Sequence, residues 1–307
     1  MFYDGMESAL NELRRLASKA ENRRTDTGIP RVAMVQGKIP EHALAAVYEP
    51  MVNMILQGGK SMTVGAKTLH YDPATYFVMS VDLPAVGSVR GAVTGEPYLA
   101  ISLTLDQATI AALLVDVPLS ANEHVDHTRQ AEAFNVAAVT PELMDAWVRM
   151  MRLMEQPDDV PALAPAYERE ILYRVLQGPQ GHMLRQLAMP DSALARINRA
   201  IKHIRCEFHR PLRIGELAEQ VAMSESAFHR HFKSATAMSP LQYQKQLRLL
   251  QARQLLTAHG KSVTTTALDV GYESPTQFSR EYARAFGLPP SQDAARIISS
   301  FRTGVAN

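Results

Sequence analysis

The sequence predicts an α+β protein that has a small β-barrel in its N-terminal half and two helix-turn-helix motifs in an all-α C-terminal half. Three observations support this prediction. Short runs of β-branched and aromatic residues, separated by glycine and proline turns, occupy residues 31–105. Apolar residues recur at helical spacing after Thr140. The pattern from Leu217 to Phe232 returns about fifty positions later, and such a repeat indicates a repeated structural module.

Length and composition are those of an ordinary two-domain protein. The chain has 307 residues, of which 46% are hydrophobic and 21% charged, which is enough for two cores. The apolar runs are too short to cross a bilayer, and the chain does not begin with a signal-peptide pattern. A single cysteine, Cys206, excludes an internal disulfide and a thiolate zinc cluster. We therefore expect a cytoplasmic protein without membrane contact.

Charge is unevenly divided between the two halves. Residues 191–307 contain 16 Lys or Arg and 9 Asp or Glu, a balance of +7, whereas residues 1–190 have a balance of −6. A basic half that also carries the repeat indicates a polyanion as partner.

The N-terminal half contains a helix followed by strands. Residues 6–22 have the spacing of an amphipathic helix, with Leu10, Leu13 and Leu16 on one side. Turn residues separate the strands that follow, which is typical of a small barrel or jelly roll. A helix over 106–115 comes next. The predicted strands are Met51–Leu56, Ser61–Val64, Tyr76–Val81 and Leu99–Leu105.

Two more helices are predicted before the C-terminal domain. Thr140 and Pro141 form the N-cap and first turn of one, and the other, over 163–177, ends at Gly178. Their broad apolar face makes them a candidate dimer interface; the alternative is packing on their own barrel. The predicted domains are 1–135 (barrel domain), 136–189 (helical linker or dimerisation element) and 190–307 (double helix-turn-helix domain, with Asp191 capping its first helix).

In the first repeat, residues 213–220 form a leading helix and Ser224 caps a second one. Phe228 and Phe232 are four positions apart and share the buried face of this second helix. Such a helix reads bases in the major groove with its N-terminal part, and Arg can donate two hydrogen bonds to guanine. We therefore predict that its outward residues Ser226, His229 and Arg230 read bases.

In the second repeat, Ser262 or Thr264 caps the leading helix and Ser274 caps the reading helix. Thr276, Ser279 and Arg280 are predicted to read bases there. Phosphate contact is the alternative for Arg230 and Arg280. Residues 240–258 join the modules as one helix of roughly 27 Å, which suits reading helices one DNA turn, about 34 Å, apart. The predicted phosphate contacts are Ser224, Lys233, Lys245, Arg248, Lys261, Thr264 and Ser274.

At these residues the chain resembles the AraC/XylS family of bacterial transcription regulators. The resemblance implies a seven-helix domain over about 191–303 with two helix-turn-helix units on one long helix, and an activator that contacts promoter DNA and RNA polymerase. Ala222 and Ala237 stand where the family mostly has glycine, and Thr266 stands where a buried aliphatic residue is usual. The motifs that carry it are Ser224–Lys233, Ser239-Pro240, Leu247–Leu256, Gly271–Tyr282 and Phe286–Pro290.

The N-terminal half resembles the sensor domain of one AraC-type subgroup. This resemblance implies a cupin-like barrel, so the full prediction is an N-terminal cupin-like β-barrel with flanking helices and an all-α C-terminal domain with two helix-turn-helix motifs. The signal differs among members of the subgroup. The motifs are Tyr48-Glu-Pro50, Leu56–Lys60, Tyr71-Asp-Pro73, Val81–Pro84 and Glu96–Leu99.

The barrel could instead be an enzyme, but its sequence lacks the ligands. His42 and His70 are far apart, and Glu123, His124 and His127 fit an exposed polar loop better than a metal site. No catalytic or nucleotide-binding fingerprint is present. We expect no enzymatic activity, no metal and no cofactor.

A small-molecule pocket inside the barrel is the better hypothesis, because barrels of this size can hold one ligand. Cys206 is expected to be a buried, inert thiol on an amphipathic helix, with a redox sensor as the alternative. Candidate pocket residues, each equally plausible as core, are Tyr48, Met54, Tyr71, Tyr76 and Tyr98.

The sequence thus predicts a sequence-specific DNA-binding transcription regulator whose N-terminal domain senses a small molecule or mediates dimerisation. Its expected partners are double-stranded promoter DNA, RNA polymerase, a small-molecule effector and a second copy of the chain. Two alternatives remain: a constitutive regulator with a purely structural barrel, and a cupin enzyme fused to a DNA-binding domain.

Overall fold

The computed structural model describes residues 2–21, 24–37, 39, 44–91, 95–117, 132–259 and 261–304. In this part of the chain, an antiparallel β domain is followed by a helical domain, which confirms the α+β prediction. The strands are β1 (Arg24–Asp26), β2 (Val32–Gly37), β3 (Ala45–Tyr48), β4 (Met51–Gln57), β5 (Gly59–Val64), β6 (Lys67–Tyr71), β7 (Thr75–Met79), β8 (Leu83–Arg90), β9 (Tyr98–Thr104) and β10 (Phe134–Ala138).

The strands form two antiparallel sheets, which together we name the two-sheet domain (residues 24–138). One sheet has the order β1-β2-β9-β4-β7-β10, and the other has the order β3-β8-β5-β6. The predicted strands are present, with ends shifted by one or two residues. Closure of the two sheets into a cupin-like barrel stays a prediction.

The larger sheet is buried on both faces. Successive side chains of a strand point to opposite faces, so β4 and β7 each contribute to two cores. The inner face, with Ile55, Phe77 and Met79, packs with Met62 and Val64 of the smaller sheet. The outer face packs against helices and includes Val52, Met54, Leu56, Tyr76 and Val78.

Helices cover this outer face. They are α1 (Phe2–Ala17), α3 (Pro141–Arg152) and α4 (Val160–Gln177), with α2 (Gln107–Asp116) and α5 (Gly181–Ala188) beside them. Thr140 caps α3 as predicted, accepting from the backbone N–H of Leu143. The helix α4 begins at Val160 rather than at 163, because Pro161 lies in its first turn, where a missing N–H has no cost.

The apolar face proposed for dimerisation is occupied within the chain. Leu143, Trp147, Met150 and Met151 of α3 are buried in the core that includes α1 and the outer face of the larger sheet. This finding favours the alternative stated above, in which the helical pair packs on its own domain.

The described residues of the C-terminal domain, 190–259 and 261–304, form seven helices, the number that the resemblance implies. Ser192, and not Asp191, caps the first of them, since its side chain accepts from the N–H of Ala195. Cys206 ends that helix and is exposed rather than buried, because it follows Ile204 out of the apolar face. The helices are α6 (Ala193–Cys206), α7 (Ile214–Gln220), α8 (Glu225–Thr236), α9 (Pro240–His259), α10 (Val263–Asp269), α11 (Pro275–Phe286) and α12 (Pro290–Gly304).

The helix-turn-helix modules pack on opposite ends of α9. The first module (α7 and α8, residues 214–236) buries Phe228 and Phe232 against Tyr243 of α9. The second module (α10 and α11, residues 263–286) buries Phe278 and Tyr282 against the far half of α9. Both modules thus take their relative position from a single helix.

The two alanines that replace glycine lie in left-handed backbone. Ala222 has φ 55° and Ala237 has φ 56°, and the corresponding second-module residues Gly271 and Gly287 have φ 89° and 77°. This conformation costs an L-residue roughly 1–2 kcal/mol. The Gly271 position tolerates no side chain at all, because a Cβ would lie 2.0 Å from the carbonyl oxygen of His209. Alanine is thus a strained choice in the first module and a forbidden one at the second turn.

Two buried threonines differ in their hydrogen bonding. The hydroxyl of Thr266 in α10 is fully buried and has no partner among the described residues. The hydroxyl of Thr236 in α8 is equally buried, but it donates to the carbonyl oxygen of Phe232 at 2.8 Å and accepts from the N–H of Met238 at 3.2 Å. One hydroxyl costs stability and the other contributes to it.

We expect Thr266→Val to stabilise the protein by about 1–3 kcal/mol, because valine keeps the shape and removes an unsatisfied polar group. Thr236→Val is the matched control, and it should destabilise by about 1–2 kcal/mol because it leaves a buried N–H unpaired. Urea unfolding followed by circular dichroism measures both. Changes of the same sign would contradict the assignment.

Candidate DNA-binding surface

The helix α8 exposes the residues predicted to read bases. The hydroxyl of Ser224 caps it, 3.3 Å from the backbone nitrogen of Ala227. Phe228 and Phe232 are fully buried, which orients the helix. On the opposite side of the helix, Ser226, His229, Arg230 and Lys233 are exposed together.

The helix α11 has the same construction. Ser274 accepts from the N–H of Gln277, and Pro275 occupies the first helical position. Phe278 and Tyr282 are buried, whereas Thr276 and Arg280 are exposed and Ser279 is partly exposed. Both modules thus present a capped N-terminus with small polar side chains and one arginine at equivalent positions, which a major groove can accept.

Arg248 is engaged within the protein, which argues against the phosphate contact predicted for it. Its guanidinium bonds four backbone carbonyl oxygens: Nε donates to Phe208 at 2.8 Å, Nη1 to Gly271 at 2.8 Å, and Nη2 to His209 at 3.2 Å and Arg210 at 3.0 Å. Arginine has five donor hydrogens. Arg248 therefore joins the loop after α6 to the turn of the second module.

Two predicted phosphate lysines are paired with carboxylates. The ammonium of Lys245 lies 3.2 Å from Glu281, which joins α9 to α11, and that of Lys261 lies 2.7 Å from Asp269 of α10. Thr264 is exposed, and Ser262 rather than Thr264 caps α10. Within the described ranges Lys233 has no ion-pair partner, so it is the best placed of the predicted lysines for a phosphate.

The C-terminal domain packs on the two-sheet domain. The hydroxyl of Tyr243 donates to the carbonyl oxygen of Asp82 at 2.8 Å, and Arg205 of α6 pairs with the Asp82 carboxylate at 2.5 Å. Tyr243 is fully buried, and Asp82 is 6% exposed. The reading residues of α8 and α11 stay exposed in this arrangement. A cleft of about 280 Å³ borders the contact, lined by Asp82, Gln107, Leu187, Asn198 and Lys202 among others.

The predicted pocket residues separate into two groups. Tyr71 and Tyr98 lie in the inner core with Tyr48 packed against it. Met54 and Tyr76 belong to the outer face, so their assignment to the pocket is wrong; the hydroxyl of Tyr76 donates to Gln180 at 2.8 Å. The predicted strands that contain Met54 and Tyr76 are present, but the two apolar faces of each could not be distinguished in the sequence.

Metal ligation finds no support in the described residues. They contain no group of three or more His, Cys, Asp or Glu that could hold a metal ion. His70 is exposed on β6. His42 and the Glu123, His124 and His127 group lie outside the described residues. In the same part of the chain, no helix combines the length and apolar character needed to cross a membrane.

One interior residue was missed in the sequence. Lys60 precedes Met62 and Val64 at alternate positions of β5, and both of these are fully buried on the inner face. Strand alternation therefore places Lys60 on that face. The spacing contained this signal, but a lysine is rarely assigned to a core.

Comparison with known proteins gives matches in both halves. Residues 28–183 match the family described as AraC-type transcriptional regulator N-terminus, and residues 217–296 match a helix-turn-helix domain family. The chain is 30% identical over 132 residues to the HTH-type transcriptional regulator ArgR of Pseudomonas aeruginosa. It is 29% identical over 146 residues to the HTH-type transcriptional activator RhaS of Escherichia coli.

These matches cover 43% and 47% of the chain, and 40% and 50% of ArgR and RhaS, so the chain spans at most half the length of these relatives. Among solved structures, an apo variant of ToxT from Vibrio cholerae has a TM-score of 0.55 at 8% identity, covering 86% of this chain and 97% of that one. Wild-type ToxT with bound unsaturated fatty acid has a TM-score of 0.53 at 10% identity, covering 86% and 94%. At these identities the likeness concerns the fold alone.

Arg248→Met should destabilise the protein by more than about 2 kcal/mol, because charge-assisted hydrogen bonds to four carbonyl oxygens are lost. Lys233→Met is the matched control: as an exposed residue it should change stability by no more than about 0.5 kcal/mol. Thermal unfolding measures both. If Arg248→Met kept the parent stability and only weakened DNA binding, the phosphate role would be restored.

Proposed function

The chain belongs to the AraC-type transcriptional regulators, and on that premise we propose that it is a sequence-specific, cytoplasmic DNA-binding regulator that activates transcription. In this proposal the C-terminal domain occupies promoter DNA, and the two-sheet domain receives a small-molecule signal or mediates dimerisation. The family membership also makes an enzymatic role for the two-sheet domain the weaker alternative.

The observation that carries the proposal is the exposure of two equivalent reading helices on one rigid spacer. The spacer α9 has 20 residues, which corresponds to about 30 Å at 1.5 Å a residue. Successive major-groove contacts on one face of DNA are about 34 Å apart. A helix of this length, packed against both modules, supports simultaneous occupancy of two turns.

The residues divide by chemistry between base and phosphate contacts. Arg230 and Arg280 stand at the same position of α8 and α11 and are exposed, so we assign them to bases, with Ser226, His229, Thr276 and Ser279 beside them. Lys233 and Thr264 are the phosphate candidates, together with the capped helix starts at Ser224 and Ser274, where backbone N–H groups favour anions.

Contact with RNA polymerase and formation of a homodimer are the remaining parts of the proposal. Activation of transcription requires contact with RNA polymerase, and symmetric homodimers are common among soluble proteins. The buried face of α3 argues that any dimer uses other surfaces, such as the exposed side of α4 with Leu163 and Tyr173. Sedimentation of the full chain with and without DNA tests this part independently.

Selection from a pool of randomised DNA duplexes, followed by fluorescence anisotropy, tests the main proposal without a known promoter. We expect one enriched sequence that binds at least about a thousandfold more tightly than scrambled DNA. Enrichment of no sequence, or equal affinity for the scrambled duplex, would overturn the proposal of specific recognition.

Arg230→Ala should weaken binding to the selected sequence by about 1–3 kcal/mol and relax preference at one base pair, because a bidentate contact to guanine is lost. Lys233→Met provides the comparison, because loss of a phosphate contact weakens binding to all sequences equally. It also lowers the slope of log affinity against log salt concentration by about one. Anisotropy against single-base variants distinguishes the two. A uniform loss for Arg230→Ala would assign it to phosphate.

Asp82→Asn should loosen the contact between the domains, because it removes the charge that pairs with Arg205. Breaking a buried pair costs about 3–5 kcal/mol, but the Arg205 side chain is 37% exposed, so we expect about 1–2 kcal/mol. Asp72→Asn is the matched control, since its pair with Arg90 is exposed on both sides.

Hydrogen exchange of the first turns of α9, around Tyr243, measures this effect directly. Faster exchange in Asp82→Asn than in Asp72→Asn is the expected result. Equal exchange in the two variants would show that the Asp82–Arg205 ion pair does not hold the domains together.

A further inference from the structure

Lys60 is a cation in the interior of the two-sheet domain, and no described carboxylate pairs with it. Its Cε lies over Gly87, where an added Cβ would be only 3.2 Å away. Its ammonium lies 5.1 Å from the ring centroid of Tyr48. Among the residues that the structure describes, it makes no ion pair. Burial of the ammonium lowers the pKa of Lys60 to about 8, although part of the residue keeps accessible surface.

A second polar group beside Lys60 also lacks a partner. Tyr71 is the cross-strand partner of Lys60 in the β5–β6 pair, so the two side chains share the inner face. Tyr71 is 2% exposed, and its ring stacks on Phe77 with centroids 5.4 Å apart. Its hydroxyl has no hydrogen-bond partner within the described ranges. Buried polar groups are nearly always paired, and an unpaired hydroxyl next to a cation without a carboxylate points to one ligand that both could bind.

The surroundings of Lys60 restrict what that partner can be. The inner core is otherwise apolar, with Met62, Phe77 and Met79. In the described part of the chain, the other titratable side chains that face it are tyrosines from three strands, Tyr48, Tyr71 and Tyr98. Burial raises the pKa of each, so none of them supplies a negative charge. Outside this core, Arg90 and Asp72 pair with each other beside Gly59. A positive charge that no described carboxylate pairs, in apolar surroundings, is complemented by one negative charge on an apolar body.

We propose that the interior of the two-sheet domain binds a monocarboxylate with an apolar body, whose carboxylate pairs with the Lys60 ammonium and accepts a hydrogen bond from the Tyr71 hydroxyl. This inference rests on the proposed function, of which it names the effector class. A dianion such as a phosphate monoester would leave one charge uncompensated, and an alcohol would leave the ammonium unpaired.

The proposal includes a defined pH dependence. Lys60 is charged at pH 7 and mostly neutral at pH 9, because its pKa in the free protein is about 8. The bound carboxylate favours the charged form and so raises that pKa. The affinity for a carboxylate should therefore fall by about tenfold between pH 7 and pH 9. Affinity for an uncharged analogue should stay constant over the same range.

The test uses the full chain and two sets of probes, the carboxylates acetate, octanoate, decanoate and benzoate, and the uncharged analogues octanol and benzamide. Isothermal titration at pH 7 should show octanoate or benzoate binding at least tenfold more tightly than the uncharged analogue of the same body.

Lys60→Met should abolish this preference, and Tyr71→Phe should weaken binding of the carboxylate severalfold. Lys202→Met, an exposed lysine at the domain contact, is the control and should keep it.

Loss of folding does not obscure the result. Methionine has a similar length and removes a buried charge, so we expect Lys60→Met to melt at or above the parent temperature. If Lys60→Met melts at a lower temperature, the carboxylate affinity of Tyr71→Phe, which keeps the lysine, tests the site instead. A Lys60→Met protein that keeps the preference for carboxylates would overturn the proposal. So would the failure of every carboxylate probe to bind the parent protein.

The selection of DNA by the same preparation separates this proposal from the proposed function. If the protein selects a DNA sequence but shows no preference for carboxylates, the effector inference fails and the regulator stands. If carboxylates bind at Lys60 but no DNA sequence is selected, the site stands and the regulator fails.

Discussion

The burial of α9 on several sides is the constraint on which the rest of the structure depends. Tyr243, Leu247, Leu249, Ala252 and Leu256 point in different directions from this helix, and each is buried. A helix that buries apolar residues on opposite sides needs a neighbour packed against each side. It therefore requires the first module, the second module and the two-sheet domain as its three coverings, and it determines where each of them lies.

The polar residues of α9 contribute to the same constraint. Gln244 and Arg248 donate to backbone carbonyl oxygens of the loop after α6, and Arg253 donates to the buried carboxylate of Asp293 at 2.8 Å. Burial alone would raise the pKa of Asp293, but hydrogen bonds from Arg253, Tyr282 and Arg296 outweigh it and hold that pKa below its usual range. These polar groups fix the rotation of the helix, because each has partners in only one orientation. Apolar contacts alone would leave the relative orientation of the two reading helices less well defined.

How much could be predicted from the sequence depends on whether the signal is local. The reading helices could be predicted because serine caps, paired phenylalanines and the repeat are signals within a few residues of one another, and the left-handed alanines were detectable for the same reason. The two faces of β4 and β7 could not be distinguished in the sequence, because a sheet buried on both sides has no apolar–polar alternation. Met54 and Tyr76 were therefore assigned to the wrong face. The structural contacts of Arg248 could not be predicted, because its partners are backbone carbonyl oxygens, which leave no trace in a sequence. Lys60 was detectable by alternation, but composition argued against it.

Strand β8 connects the two unusual charges of the two-sheet domain. Its residue Val89 pairs with Lys60, and its first residue, Leu83, follows Asp82, which binds Tyr243 and Arg205 of the C-terminal domain. The eight residues of this strand extend over about 26 Å at 3.3 Å each. Physical continuity alone does not transmit a signal; coupling needs an element with two arrangements that both sites favour differently. The contact at Asp82 fits that requirement better than the strand, because an ion pair and a single tyrosine hydrogen bond can break while both sheets stay intact. An effector would then alter DNA binding by loosening or tightening the contact of α9 with the two-sheet domain, and not through the already exposed reading surface.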